Sequence, residues 1–164
     1  MDADNKDGFV EVAVVEYPGG DPSAASVLAE MAHVGNRMAT QQRRPFKRLL
    51  VTRWIVPACG SGVHRLAGAE LLEAAIPAVI AVPGQLSLSV PLWVEEVLLD
   101  WLRAHYDGGS LLSAAADGVT VLARAGLLAG RTVSTPDLSR HPSVQEQSAS
   151  CPPANTRWWT TVIC

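Results

Sequence analysis

Residues Ser110–Thr135 read SLLSAAADGVTVLARAGLLAGRTVST. The first six are short, apolar and compatible with a strand. Gly108 and Gly109 punctuate their start, and small residues follow. A helical pattern begins without a spacer: Val119, Leu122 and Ala123 fall at i, i+3 and i+4, and Gly126 and Gly130 mark the stop. A strand that runs directly into a helix must turn sharply. Such a turn carries one side chain and the first free N–H groups of the helix to the C-terminal edge of a sheet. Ligands of open α/β proteins bind along that edge.

Working outward, Phe9–Glu16 (FVEVAVVE) is β-branched and mostly apolar, the pattern of a buried parallel strand. YPGGDP turns the chain. Ser23–Arg37 is helical, with Val27, Met31 and Val34 on one stripe. Phe46–Val56 predicts a second strand, Pro57–Leu66 a small hairpin and Ala69–Ala75 a short helix. Pro77–Val82 is a buried strand ending in Pro-Gly. Ser89 caps the next helix and Pro91 sits in its first turn. Val94, Val97, Leu98, Trp101 and Leu102 form its core-facing stripe, and Gly108 closes it. Trp54 belongs to the core. Trp93 and Trp101 are about two helical turns apart, so at most one is well buried beside Leu98. Short β-α-β links indicate a mostly parallel sheet with helices on both faces.

The chain has 164 residues, 48% apolar and 18% charged, enough for one domain with a sizeable core. Its net charge is −3 and no long basic stripe is present, which excludes nucleic-acid binding by this chain alone. The short basic run Arg43, Arg44, Lys47 and Arg48 reads as a solvated approach to a strand. Residues 1–8, MDADNKDG, are acidic and lack an apolar signal core, so they are expected to be disordered. No apolar run approaches the ~18 residues of a membrane span. Cys59, Cys151 and Cys164 have no metal-ligand spacing, and their odd number fits a reducing cytoplasm better than a disulfide framework. No metal and no cofactor is expected.

Three motifs at matching intervals carry a family resemblance: AxVxYPG at Ala13–Gly19, VPG at Val82–Gly84, and AGLLxGR at Ala125–Arg131. The sequence resembles the ThiJ/PfpI branch of the class I glutamine amidotransferase-like superfamily, in particular the sensor domains of AraC-type regulators and the isonitrile hydratases. Tyr17, Pro18, Gly19 and Glu30 match the opening of that pattern, and Asn36–Arg37 match its N-R. The resemblance implies a flavodoxin-like α/β sandwich over residues 9–138 and a homodimer. It also implies a pocket at the strand–turn–helix, built from Tyr17, Gly84, Gln85, Ala116, Asp117 and Gly118. The chemical residues depart from the pattern. The family's nucleophilic Cys falls on Ala116, its His on Pro136, the acid before G-P on Ala24, G-P itself on Val27 and Leu28, and the second glycine of V-P-G-G on Gln85.

Alanine cannot act as a nucleophile, so cysteine-dependent amidase, hydratase or glyoxalase chemistry is not expected at the elbow. One expectation is a cytoplasmic small-molecule-binding domain. The other is a lyase, hydratase or cyclase of secondary metabolism that uses Asp117, Glu30 or His64 as acid and base. Each has a plainer alternative. Asp117 suits a first-turn acid held by the helix dipole, Glu30 a solvated helix position, and His64, five residues from Cys59, a loop histidine.

From Ser139 the tail is polar and proline-rich without a period. The family continues here with a strand near V-D-D-G and a long apolar helix, and neither is readable in RWWTTVIC. With G at the wobble positions, the codons of that stretch read two bases later give Val-Val-Asp-Asp-Gly-Asp-Leu. Residues 139–164 are therefore expected to be an atypical tail, the product of a shifted frame after about Val144. Without the closing helix, apolar surface beyond a few hundred Å² would need a cover.

Overall fold

The computed structural model describes residues 8–42, 45–57, 62–66, 76–85, 96–130 and 161–163. Several expectations fall outside these residues: the N-terminal disorder at 1–7, Arg43 and Arg44, Cys59, the helix Ala69–Ala75, the cap at Ser89, Pro91, Trp93 and Val94, Pro136 and the tail over 139–160.

Strand β1 (Phe9–Glu16) forms over the residues its β-branched run predicts. It lies beside β2 (Arg48–Ile55) on one side and β4 (Val79–Val82) on the other, parallel to both. Strand β5 (Leu111–Ala115) continues the parallel set beyond β4. Two short antiparallel strands close the edges, β3 (His64–Arg65) against β2 and β6 (Thr161–Ile163) against β5. The order is β3-β2-β1-β4-β5-β6. The expected hairpin after β2 is thus present at β3, whereas β6 was not expected. Three β-branched residues are too few for a readable period, and the strand exists through its pairing with β5.

The handedness of crossovers fixes the layers. The connection from β1 through α1 (Ala24–Gln41) to β2 runs in one direction along the sheet. The connection from β4 through α2 (Glu96–Asp107) to β5 runs in the other. Both being right-handed, the two helices lie on opposite faces. The architecture is therefore the flavodoxin-like α/β sandwich expected from the sequence. Its parallel strands reverse order between β1 and β4, the switch point at which open α/β sheets bind ligands.

The main core lies on the α2 face. Alternate strand residues Ala13 and Val15, Ile80 and Val82, and Leu112 and Ala114 meet Leu98, Leu99 and Leu102 of α2. Helix α3 (Val119–Arg124) adds Val119, Val121 and Leu122 to the same cluster. Truncating a fully buried member such as Ile80 or Leu112 to alanine costs about 2–5 kcal/mol. Trp54 is only partly buried at the rim, its ring 5.2 Å from Trp101, which in turn lies 4.0 Å from His105.

Two arrangements go beyond what the sequence pattern discloses. A helical apolar stripe ordinarily faces the core. Val27, Met31 and Val34 of α1 are instead exposed, and the helix rests on the sheet through the small residues Ala25 and Ala32. Asn36 fixes this orientation: its side-chain amide donates to the Leu49 carbonyl and accepts from the Leu49 N–H, both at 2.9 Å. The apolar strand β1 also carries a buried carboxylate. Glu11 accepts from the Thr52 hydroxyl at 2.6 Å and pairs with Arg65 at 3.0 Å. Among the described residues, no helix is long and apolar enough to cross a membrane.

Candidate functional site at the β5 elbow

Three loops meet at the C-terminal ends of β1, β4 and β5. The first begins with Tyr17, whose buried ring lies under the backbone of Gly20 and whose hydroxyl donates to the Pro83 carbonyl at 2.6 Å. The Asp21 N–H donates to the Gly84 carbonyl at 2.9 Å, and Gly20 forms an isolated antiparallel bridge with Gln85. The turn after β1 is thereby tied to the Pro-Gly turn after β4. Gly19, at φ +88°, adopts the left-handed conformation that glycine takes without steric penalty.

The third loop is the turn after β5. Ala115 ends the strand in extended conformation, and Ala116–Gly118 form one turn of 3₁₀ helix leading into α3. Ala116 has φ +46°, the sole positive φ at a non-glycine position among the described residues. An L-residue in that region carries roughly 1–2 kcal/mol of strain. The strand-to-helix elbow expected from the sequence is thus present, and its apex is alanine.

Close backbone contact joins the elbow to the β4 turn. A Cβ placed on Gly84 would stand 3.1 Å from both the Ala115 carbonyl oxygen and the Ala116 Cβ. One placed on Gly118 would stand 2.6 Å from the carbonyl oxygens of Val82 and Pro83. Asp117 is buried beside Tyr17. Burial first, and the Asp117 carboxylate second, push the Tyr17 phenol well above its ordinary value. Tyr17 is therefore a neutral donor at physiological pH, and the Asp117 side chain lies within the site beside it.

The structure brings Tyr17, Gly84, Gln85, Ala116, Asp117 and Gly118 together. It does not bring Glu30 or His64 to them. Glu30 is exposed on α1, about 140° around the helix from the sheet-facing Ala25. His64 is exposed on β3, four strand spacings from β5, or about 19 Å. Asp21 and Pro83 were not singled out from the sequence, although both lie in the YPGGD and VPG motifs whose backbones now bond to each other. Among the described residues, no group of three or more His, Cys, Asp or Glu is placed to hold a metal ion.

Neither a protein-family model nor a curated protein matches the chain. Solved structures do. The fold is similar to that of DJ-1beta from Drosophila melanogaster. That likeness has a TM-score of 0.51 at 19% identity and covers 85% of this chain and 72% of the other. An AraC family transcriptional regulator from Pseudomonas putida gives a TM-score of 0.50 at 23% identity, over 89% of this chain and 77% of that one. A transcriptional-regulator-like protein from Vibrio parahaemolyticus gives 0.47 at 19% identity over 73% of this chain, and the chain spans 63% of its length. The likenesses to DJ-1beta and to the Pseudomonas putida regulator establish a shared α/β fold.

Proposed function

We propose that the chain is a ThiJ/PfpI-like domain that binds a small molecule at the β5 elbow without cysteine chemistry, in the manner of a regulator's sensor domain. The observation that carries this reading is Ala116 at φ +46°. The strained turn that presents a side chain at the sheet edge is built in full, yet the side chain presented has no lone pair, proton or charge. Strain of this kind persists only where the surroundings hold it in place, and here Gly84 lies against Ala116 while Gly118 lies against the Val82 and Pro83 carbonyls. The ligand class that fits is small and polar, able to donate to the Asp117 carboxylate. Alanine-methyl and amide NMR against a panel of small hydroxy, amide and carbonyl compounds tests this. A true ligand shifts the Ala116 methyl and the Gly84, Gln85 and Gly118 amides. A binder that leaves all four unmoved would place the site elsewhere and defeat the proposal.

The second reading, a cysteine-independent lyase, hydratase or cyclase, retains one specific support: Asp117 is an acid at the elbow itself. Glu30 and His64 are too remote to act with it. Turnover that disappears in Asp117→Asn while the circular dichroism spectrum is kept would favour the enzyme over the binder.

A further inference from the structure

We infer that the Thr120 hydroxyl is the second polar contact of the elbow pocket, which takes a small compound with oxygens on two neighbouring carbons, a diol or a hydroxy-carbonyl. This rests on the elbow being the binding site. Helix α3 is otherwise built as core: Val119, Val121, Leu122 and Ala123 are at most 1% exposed. Thr120 is 6% exposed, and its Oγ1 has no hydrogen-bond partner. A buried threonine in a helix can donate to the carbonyl four residues back. That carbonyl belongs to Ala116, whose left-handed backbone interrupts the helical path, and it accepts from the Val119 N–H. A buried hydroxyl left unbonded lowers stability, and valine would fill the same space without that loss. Glu11 Oε2 is also unbonded, but its carboxylate is held through Oε1 by Thr52 and Arg65. The Thr120 side chain has no second polar atom.

Helix geometry aims this hydroxyl at the elbow. A helical side chain leans toward the N-terminus and covers the turn before its own Cα. For Thr120 that turn is Ala116–Asp117. Side chains three and four positions apart are neighbours, with Cβ atoms about 5–6 Å apart. The pocket thus has two polar anchors one helical turn from each other. Asp117 offers carboxylate oxygens, each with room for more than one donor, and Thr120 can both donate and accept. The Tyr17 hydroxyl is already given to the Pro83 carbonyl. One ligand hydroxyl donating to Asp117 and a second oxygen on the adjacent carbon meeting Thr120 satisfy both anchors at ordinary hydrogen-bond lengths.

Titrations of the full chain followed at the Ala116 methyl test the inference, with propane-1,2-diol and hydroxyacetone as two-oxygen probes and 1-propanol as the one-oxygen control. The two-oxygen probes should bind about tenfold more tightly than 1-propanol. Thr120→Val should remove that advantage and leave 1-propanol unchanged, and Thr120→Ser should keep it. In the ligand-free protein Thr120→Val should raise the melting temperature by about 2–4 °C, because it removes an unbonded hydroxyl. A melting temperature that falls would show a hydroxyl bonded within the fold and would overturn the inference. Equal affinity for one- and two-oxygen probes, or a Thr120→Val variant that keeps the difference, would overturn it while leaving the elbow as the binding site. An Ala116 methyl that no probe shifts would overturn the elbow reading and this inference with it.

Discussion

A side chain at Gly118 has nowhere to go. Its Cβ would come within 2.6 Å of two backbone carbonyl oxygens, those of Val82 and Pro83, and neither can swing aside as a flexible side chain could. At Gly84 the corresponding contacts are 3.1 Å, and one of them is the Ala116 methyl. A shift of a few tenths of an ångström suffices there. Gly118→Ala should therefore lower the free energy of unfolding by roughly 3 kcal/mol and Gly84→Ala by roughly 1 kcal/mol. Urea denaturation of the two variants measures the difference. Equal losses would mean that the β4 turn yields as easily as the elbow does. The two glycines differ in legibility as well. Gly84 belongs to a Pro-Gly turn signal that a sequence shows. The demand at Gly118 arises from a strand 36 residues away, which no local pattern reveals.

Helix α1 shows how an element can be legible in the sequence while its orientation is not. Its length and period are legible, since Val27, Met31 and Val34 recur at helical spacing. A period identifies an amphipathic helix but not which of two apolar sectors meets the sheet. Close packing against β1 and β2 selects the small residues Ala25 and Ala32, with Asn36 as anchor, and leaves the large ones outside. The start of the element is built by a local bond to Asp21 in place of a side-chain cap. Ser23 is the N-cap but makes no side-chain capping bond, because its hydroxyl and N–H both donate to the Asp21 carboxylate, at 2.7 and 2.8 Å. Those two bonds hold Asp21 below its ordinary pKa. The folded-state pKa is depressed, so the stabilising contribution is present above the unfolded value of about 3.9 and is lost as pH falls through the folded one. The melting-temperature gap between wild type and Asp21→Ala should be constant from neutral pH to about pH 4 and narrow below it. A gap that widens in acid would show that the charged form of Asp21 does not support the α1 start.

On the scale of the whole molecule, the sheet explains both what the sequence disclosed and what it concealed. The β-α-β order and the glycine-punctuated strands disclose a parallel sheet, and the switch point between β1 and β4 then gathers Tyr17, Gly84 and Ala116 at one edge. Glu30 and His64 stood as candidates because a linear pattern carries no information on helix rotation or on distance across strands. The edges were concealed for a related reason. A two-residue β3 and a three-residue β6 owe their form to the neighbours they pair with, β2 and β5. Yet β6 has a distinct physical task. It pairs Thr161 with Ala115, the residue immediately before the elbow, and covers the outer hydrogen-bonding groups of β5. An uncovered parallel strand is a template for aggregation. Removing residues 161–164 should therefore have two consequences that hydrogen exchange and light scattering read separately. The amides of Ser113–Ala115 that face β6 should exchange faster than in the full chain, while those of β1, flanked by β2 and β4, keep their protection. Scattering should rise with protein concentration. A truncated chain with unchanged β5 exchange and no added scattering would show that the elbow and its strand are held by β4 and α3 alone, and that β6 is dispensable to the sheet.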